Sequence, residues 1–355
     1  MLTISRRQFL ENAAGAAGAL ALSSAGNAAT GSTSAAGVPA ITAPERIRSW
    51  CVDFNWLNGT YAPPGYWTNV ADPAKHIAWH RDMNCNALST FAVPFHGLAW
   101  FRSEVAPVNP GLKHDFLPEM VRLGERHGIK VFAYINVAAN RFWSAQYPAE
   151  SRRGAFVSRP TVALTSRYLD YLRRLVAEIF AKANPAGLHI DWLVSPMASG
   201  NATVQNGADT ATAAGKAKAA KAAAAWLPCE REMWRELLGE KFPAGSAPSA
   251  ADAAEFHKRA VVRAWKIIRE TAKAARSDAL LRFNCPHLEN PQLRGTPIFR
   301  ETDWLVGETG DIAGIRAIKQ HAGPHTRLLT CLAEWNGKDP LKMLAAIDAS
   351  GLDIG

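Results

Sequence analysis

The sequence predicts an α/β protein with a (β/α)8 TIM barrel fold. Short apolar segments alternate with longer segments whose apolar residues recur at helical spacing. The alternation continues through seven such pairs and reaches the opening of an eighth at the carboxyl terminus. A doubly wound open sheet is the alternative, but no glycine-rich phosphate loop follows the first strand segment. A closed barrel of parallel strands is therefore expected.

Residues 1–29 are predicted to be a twin-arginine signal peptide. Arg6 and Arg7 stand in the order Ser-Arg-Arg-Gln-Phe-Leu, a weakly apolar run follows, and small residues surround Ala28. These features favour a signal peptide over a transmembrane helix, and the other alternative is an amphipathic first helix of the domain. We therefore expect no membrane span in the mature chain, the twin-arginine export machinery as a partner of the precursor, and a periplasmic or secreted mature protein.

The remaining residues are assigned to a linker and one catalytic domain. Residues 30–48 begin with a run rich in Gly, Ser, Ala and Thr and are predicted to be a flexible linker, and residues 49–355 are predicted to form the barrel. The 48% hydrophobic content supplies a sizeable core. A net charge of +9 is modest at this size, and no basic run is interleaved with aromatic residues, so no nucleic-acid partner is expected.

The five cysteines form no CxxC pair and predict no disulfide framework. Cys51, Cys285 and Cys331 lie in apolar strand segments, where a buried free thiol is the simplest interpretation. No cofactor is expected.

The strand segments are short and apolar, and they lie at 49–56, 86–94, 130–137, 187–194, 280–286, 303–308 and 327–335. Residues 351–355 are predicted to be the start of an eighth strand, which is cut short at the end of the sequence. We therefore expect a destabilised seam between the eighth strand and the first.

Helices are predicted between the strands, at 72–85, 114–127, 166–183, 229–241, 250–276, 312–321 and 339–349. An Ala-rich insertion at 197–226 follows the fourth strand directly, and its Ala/Lys half favours helix by propensity. The insertion is expected to form either a flap over the site or a solvated loop without function.

The fourth strand, Gly187–Val194, combines apolar residues with an ionisable pair. His189 and Asp191 have the same parity and fall on one face, whereas Leu188, Ile190 and Trp192 fall on the other. Such a pair is costly to bury in an apolar strand unless it has a partner or a function. Asp191 is therefore a candidate catalytic carboxylate, and His189 is a candidate orienting residue below it.

Polar residues recur at the carboxyl ends of the other strands, where barrel enzymes place their active sites. The candidates are Asp53, Asn55, His96, Tyr134, Asn136, His189, Asp191, Asn284, His287, Glu308 and Glu334. For Asn55, Asn136 and Asn284, an ordinary hydrogen-bonded core amide is an equal alternative.

Three of these residues, Asp191, Glu308 and Glu334, predict glycoside hydrolysis. That chemistry needs one carboxylate at the anomeric carbon and a second that protonates the leaving oxygen. Glu308 is preferred as acid/base because Gly307 and Gly310 leave room around it, and Glu334 is the alternative.

Aromatic residues are the second argument for a sugar site, since flat indole faces suit the apolar faces of sugar rings. Trp56, Trp192 and Trp335 are candidate binding residues. Further aromatic residues are assigned to strand ends or loops, namely Phe54, Trp67, Trp100, Trp143 and Trp304. The helical tryptophans Trp226, Trp234 and Trp265 are assigned to packing.

The order of several motifs resembles that of bacterial TIM-barrel glycoside hydrolases, specifically the α-L-fucosidase-like enzymes and related glycosyl hydrolase families. The motifs are HIDW in the fourth strand, CEREMWRELLGEKFP, the long Trp-bearing helix, FNCPH and DWLVGE. The resemblance implies that Asp191 is the nucleophile of a retaining glycosidase. Asn55-Trp56 stands where the fucosidase pattern has His-Trp, so the resemblance does not extend to fucose specificity.

Two other functions are considered. A metal-dependent barrel hydrolase would need clustered ligands such as HxH on the first strand, which instead reads VDFNW, so no metal site is expected. A periplasmic carbohydrate-binding barrel without catalysis would use the same aromatic residues, but it would not need three carboxylates.

Overall fold

The structure is a computed structural model that describes residues 45–57, 60–153, 160–196, 226–243, 248–284, 290–307, 312–331 and 339–355. The signal peptide and most of the linker predicted from the sequence, and nearly all of the Ala-rich insertion, lie outside these ranges. From Arg46 onward the chain forms one compact unit.

Eight parallel strands form the barrel, and the (β/α)8 prediction is confirmed. In spatial order they are β1 (Ser49–Cys51), β4 (Ala87–Val93), β5 (Lys130–Asn136), β8 (Gly187–Asp191), β9 (Leu280–Asn284), β10 (Trp304–Gly307), β11 (Arg327–Thr330) and β12 (Asp353–Ile354). The last strand reaches the first through a parallel bridge between Arg48 and Ile354 and a 3.0 Å hydrogen bond from the Ile354 N–H to the Ile47 carbonyl.

The helices lie between the barrel strands in sequence. They are α1 (Pro73–Asp82), α2 (Phe116–Arg126), α3 (Arg141–Gln146), α4 (Ser166–Ala183), α5 (Pro228–Leu238), α6 (Ala250–Ala275), α7 (Ile298–Glu301), α8 (Ile312–Ile318) and α9 (Pro340–Ser350). Helix α4 has the bounds predicted from the sequence. The Thr165 side chain accepts from the Tyr168 N–H at its start, and Asn184 takes the left-handed conformation at its end.

Two short hairpins interrupt the predicted alternation. They are β2 (Trp56–Leu57) with β3 (Thr60–Tyr61), and β6 (Ser151–Arg153) with β7 (Pro160–Val162). The first strand was predicted to extend to Trp56, and this is wrong because β1 ends at Cys51. The Asp53 carboxylate accepts from the Asn55 N–H at 2.7 Å, an Asx-turn that ends the strand and leads into the first hairpin.

Apolar side chains fill the amino-terminal part of the barrel interior. Phe132 packs on Trp304 with ring centroids 4.6 Å apart, and the same cluster contains Ile47, Ala87, Val306 and Leu329. Trp304 is the first residue of β10, so its assignment to a strand's carboxyl end is wrong.

The eighth strand is held to both of its neighbours. The Asp353 carboxylate accepts from the Ile47 N–H at 2.8 Å and from Nε and Nη2 of Arg327, each at 2.8 Å. The Gly355 N–H donates to the Thr330 carbonyl at 3.0 Å. These hydrogen bonds stabilise the seam between the eighth strand and the first, which the sequence predicted to be destabilised.

Among the described helices, none combines the length and the apolar character needed to cross a membrane.

Candidate active site

Asp191 is the last residue of β8, and its carboxylate accepts hydrogen bonds from Tyr134, Asn284 and the Trp192 N–H. Oδ2 accepts from the Tyr134 hydroxyl at 2.5 Å. Oδ1 accepts from the Asn284 amide at 3.1 Å and from the Trp192 N–H at 2.8 Å. All three bonds stabilise the negative charge and fix the orientation of a half-buried carboxylate.

Trp192 turns the chain directly after this carboxylate. Its φ of 52° is left-handed, which is unfavourable for a bulky residue and costs about 1–3 kcal/mol. The Trp192 carbonyl accepts from the Ala138 N–H at 3.0 Å, which ties the turn to the loop after β5. The sequence predicted Trp192 on the opposite face of the strand from Asp191. This prediction is wrong, because the strand ends at Asp191 and Trp192 lies in the turn after it.

Tyr134 and Asn284 reach Asp191 from the two strands that flank β8. Both side chains are buried. Desolvation raises the pKa of Tyr134 well above its ordinary value, and the negative charges of Asp191 and Asp53 raise it further, so the hydroxyl remains a hydrogen-bond donor. The Oδ1 atom of Asn284 has no hydrogen-bond partner among the described residues. It is an acceptor available to a ligand beside Asp191.

Asp53 follows β1 and places a second carboxylate near Asp191. Besides the Asn55 N–H on Oδ1, the indole Nε1 of Trp56 donates to Oδ2 at 3.1 Å. The residue keeps exposed surface, yet protein surrounds the carboxylate on its other sides. Desolvation raises the pKa of Asp53 to about 6; the negative charge of Asp191 raises this pKa as well, whereas hydrogen bonds from Asn55 and Trp56 lower it.

An aromatic stack lies beside Asp53. The half-buried Trp56 ring stacks on Tyr61 at 4.6 Å, and Tyr61 stacks on Phe95 at 4.2 Å. Trp67 supports the first hairpin, because its Nε1 donates to the Trp56 carbonyl at 3.0 Å. The hydrogen bond between Trp56 and Asp53 thus joins an indole ring to a carboxylate, a combination suited to a sugar.

His189 lies one layer below Asp191 inside the barrel. It packs edge-on against Tyr134 at 5.1 Å, and neither ring nitrogen has a hydrogen-bond partner among the described residues. Burial, with a smaller contribution from the charge of Arg282, lowers the pKa of His189 well below its ordinary value, so the ring is neutral.

Arg282 was missed by the sequence reasoning. It is buried on β9 opposite His189 and donates to the Ser49 hydroxyl. It has the same parity as Asn284 in LLRFN, and this signal could have identified it.

Two of the remaining predicted residues in the described ranges, His96 and Asn136, have local hydrogen-bond partners. His96 follows β4, and its Nε2 lies 2.7 Å from the Ala62 carbonyl. Asn136 is buried and accepts from the Ala139 N–H at 2.9 Å, which caps the turn after β5. Asn55 is buried, and its Oδ1 has no partner among the described residues. His287, Glu308, Glu334 and Trp335 lie outside the described residues.

A second buried polar cluster, also missed, fixes the segment that follows Trp192. Ser195 Oγ lies 2.9 Å from Nδ1 of His257 on α6. The backbone N–H and carbonyl of Ser195 bond to the side-chain amide of Gln292 at 2.7 and 2.8 Å. Trp226 stacks on His257 at 5.4 Å. This cluster positions the chain just beyond β8.

Several other tryptophans belong to the hydrophobic core. Trp234 and Trp265 are buried on helices, as predicted. Trp100 and Trp143, assigned to loops from the sequence, are also buried: Trp100 stacks on Phe54 at 4.8 Å. Within the described ranges, no group of three or more His, Cys, Asp or Glu side chains is placed to hold a metal ion.

No protein-family model matches the sequence, and no curated protein matches it significantly. Among solved structures, the chain is similar to α-L-fucosidase isoenzyme 2 from Paenibacillus thiaminolyticus, with a TM-score of 0.59, 17% identity, and coverage of 82% of this chain and 41% of that one. The α-galactosidase from Thermus thermophilus has a TM-score of 0.48 at 12% identity, over 87% of this chain and 58% of the other.

The similarity to the fucosidase supports the barrel fold. The chain spans 41% of the length of the fucosidase, and the identity between them is low. The resemblance inferred from the sequence is therefore confirmed at the level of the barrel, and the chemistry has to be argued from the site.

Proposed function

We propose that this protein is a retaining glycoside hydrolase in which Asp191 is the nucleophile. The observation that carries the proposal is the Asp191 carboxylate at the end of β8, fixed by Tyr134, Asn284 and the Trp192 N–H in a barrel that also resembles a fucosidase in fold. A carboxylate held in this way at the mouth of a barrel is suited to attack on an anomeric carbon.

In the first step, an Asp191 oxygen forms a bond to the anomeric carbon while the bond from that carbon to the glycosidic oxygen breaks. A second carboxyl group gives its proton to the departing oxygen. In the second step, water attacks the same carbon, releases Asp191, and returns a proton to the second group. The sequence assigned that second role to Glu308, with Glu334 as the alternative, and both assignments stay predictions.

The carbohydrate would bind across the aromatic stack and the polar residues beside Asp191. The Trp56 ring offers a face for a sugar ring, and Oδ1 of Asn284 offers an acceptor for a hydroxyl beside Asp191. Asn55, His96, Asn136, His189, His287, Trp192 and Trp335 stay predicted substrate-site residues.

The test is an activity screen over 4-nitrophenyl α- and β-glycosides of common sugars. We expect turnover by the wild-type chain and a loss of about a thousandfold or more in kcat for Asp191→Asn. Asp278→Asn is the matched control, because Asp278 is an exposed partner of Arg276 far from the mouth. Retention of configuration is read from the first-formed anomer by proton NMR.

Wild-type activity in Asp191→Asn would overturn the nucleophile assignment. A wild-type chain that binds oligosaccharides in calorimetry but cleaves no glycoside would instead support the non-catalytic carbohydrate-binding barrel.

We also propose that the precursor is exported by the twin-arginine route to the periplasm or medium, on the strength of Arg6 and Arg7 alone. Replacement of both arginines by lysine should leave the protein in the cytoplasm of a bacterial host. Unchanged export of that variant would contradict the proposal.

A further inference from the structure

We propose that Asp53 is the general acid/base that works with Asp191; this role rests on the proposed glycosidase function. The sequence assigned Asp53 only to substrate binding. The placement of its carboxylate argues for a part in the reaction itself.

Asp53 is placed to act together with Asp191. Asp53 follows the first barrel strand and Asp191 ends the fourth, so the two carboxylates approach the mouth from different sides of the barrel. They are close enough for the charge of Asp191 to act on Asp53, and both charges act on the Tyr134 hydroxyl. Glycoside hydrolysis needs two carboxyl groups that flank one bond in this way.

The Asp53 carboxyl group is held in a fixed orientation and is also accessible to a ligand. The Asn55 N–H holds Oδ1 and the Trp56 indole holds Oδ2, so the carboxyl group has a defined orientation. The residue is nevertheless exposed, which a group that meets a leaving oxygen requires. The described groups that act on the charge of Asp53 are Asp191, Asn55 and Trp56, and none of them is a cation that would form a structural ion pair.

The protonation behaviour supports this placement. A pKa of about 6 keeps Asp53 largely protonated in mildly acidic solution, where a general acid must hold its proton. Asp191, in contrast, is surrounded by donors that stabilise its charge. Environments that separate the protonation states of two neighbouring carboxyl groups are characteristic of an acid paired with a nucleophile.

The step balances with these two residues and water. The proton of Asp53 moves to the glycosidic oxygen as the bond between that oxygen and the anomeric carbon breaks and an Asp191 oxygen bonds to the carbon. The Asp53 carboxylate then takes a proton from water as the water oxygen bonds to the anomeric carbon and Asp191 leaves. The products are the free sugar and the alcohol, and Asp53 is protonated again.

The experiment compares two leaving groups on the same sugar. A 2,4-dinitrophenyl glycoside departs without protonation, whereas a phenyl glycoside needs a proton from the enzyme. We expect Asp53→Asn to lower kcat/KM for the phenyl glycoside by about 100-fold or more and for the dinitrophenyl glycoside by less than about tenfold. The alkaline limb of the wild-type kcat/KM profile, expected near pH 6, should disappear, and azide should accelerate turnover of the activated substrate.

Four variants make the result decisive. Asp53→Ala removes the carboxylate by a different change, and the melting temperature of each variant reports folding. Glu308→Gln and Glu334→Gln are measured on both substrates. Asp82→Asn, an exposed partner of Arg81 on α1, is the matched control and should change neither rate.

An equal loss on both substrates in folded Asp53 variants would overturn the proposal, as would a leaving-group-dependent loss confined to Glu308→Gln or Glu334→Gln. A wild-type chain that cleaves neither substrate for any sugar tested would overturn the glycosidase function itself. The two failures are therefore distinguishable.

Discussion

The Tyr134 hydroxyl donates to Oδ2 of Asp191 across the pairing of β5 and β8, with the two oxygens 2.5 Å apart. The bond joins a buried side chain to a half-buried one at the mouth of the barrel. The burial that keeps the phenol protonated also makes it a rigid support for the carboxylate.

Loss of this hydroxyl should impair turnover without unfolding the protein. A hydrogen bond to a charged group contributes about 1.5–3 kcal/mol, so Tyr134→Phe should lower kcat by roughly 10- to 100-fold. The measurement is steady-state kinetics on the best aryl glycoside found. Tyr147→Phe is the control, since Tyr147 packs against Trp143 away from Asp191. An unchanged kcat in Tyr134→Phe would show that the hydroxyl does not support the catalytic group.

Asp53 should make the stability of the protein fall as the pH rises. Its pKa is about 6 in the folded chain, against 3.8 for an unperturbed aspartate side chain, so between these values the folded state binds more protons than the unfolded state. The stabilisation is complete below about pH 4 and is lost as the pH rises through about 6. The melting temperature of Asp53→Asn, relative to wild type, should therefore increase from pH 4 to pH 7. A difference in melting temperature between Asp53→Asn and wild type that stays constant from pH 4 to pH 7 would contradict the raised pKa.

The alternation of strand and helix segments was sufficient to predict the barrel, because each buried parallel strand is a short apolar run and each helix has an apolar stripe. The position of Asp191 followed from the same pattern: it is the carboxylate at the end of the fourth run.

The pattern failed at Asp53. Asp and Asn two residues apart are typical both of one face of a strand and of an Asx-turn, and here the side-chain hydrogen bond forms the turn.

Other features had no local signal. A tryptophan is an unfavourable residue for a left-handed conformation, so nothing in HIDW predicts the turn at Trp192. Ser195 and His257 are 62 residues apart, and their contact depends on how α6 packs beside β8. Helix spacing could place His257 on a buried face, but it could not identify the partner.

The seam of the barrel depends on Asp353. Its carboxylate is buried and accepts from both Arg327 and the Ile47 N–H, so Asp353→Asn should leave donors without a full partner. We expect the free energy of unfolding to fall by about 2–3 kcal/mol, measured by urea denaturation. Asp348→Asn is the matched control: it removes an exposed ion pair with Arg46 and should cost less than about 1 kcal/mol. Equal effects of the two changes would show that the seam does not depend on the Asp353 contacts.

His257 should make stability fall as the pH becomes acidic, the opposite direction to Asp53. Burial and the charge of Arg152 lower the pKa of His257 from 6.5 to about 4. The unfolded chain therefore binds the extra proton first, so stabilisation by the neutral ring is complete above about pH 6.5 and is lost as the pH falls towards 4. His257→Gln should lose less stability than wild type between pH 6.5 and 4.

Ser195→Ala separates this titration from the contact itself. It removes the hydroxyl beside Nδ1 and leaves the ring in place, so the protein should be destabilised by about 1 kcal/mol at pH 7 while the acid-induced loss remains. Because Ser195 continues the chain from Asp191 and Trp192, the same variant should also lower kcat on the best aryl glycoside.

Thermal unfolding from pH 4 to 7 tests both residues. An acid dependence that is identical in wild type and His257→Gln would assign the effect to another histidine, such as His80, whose pKa burial also lowers to about 4.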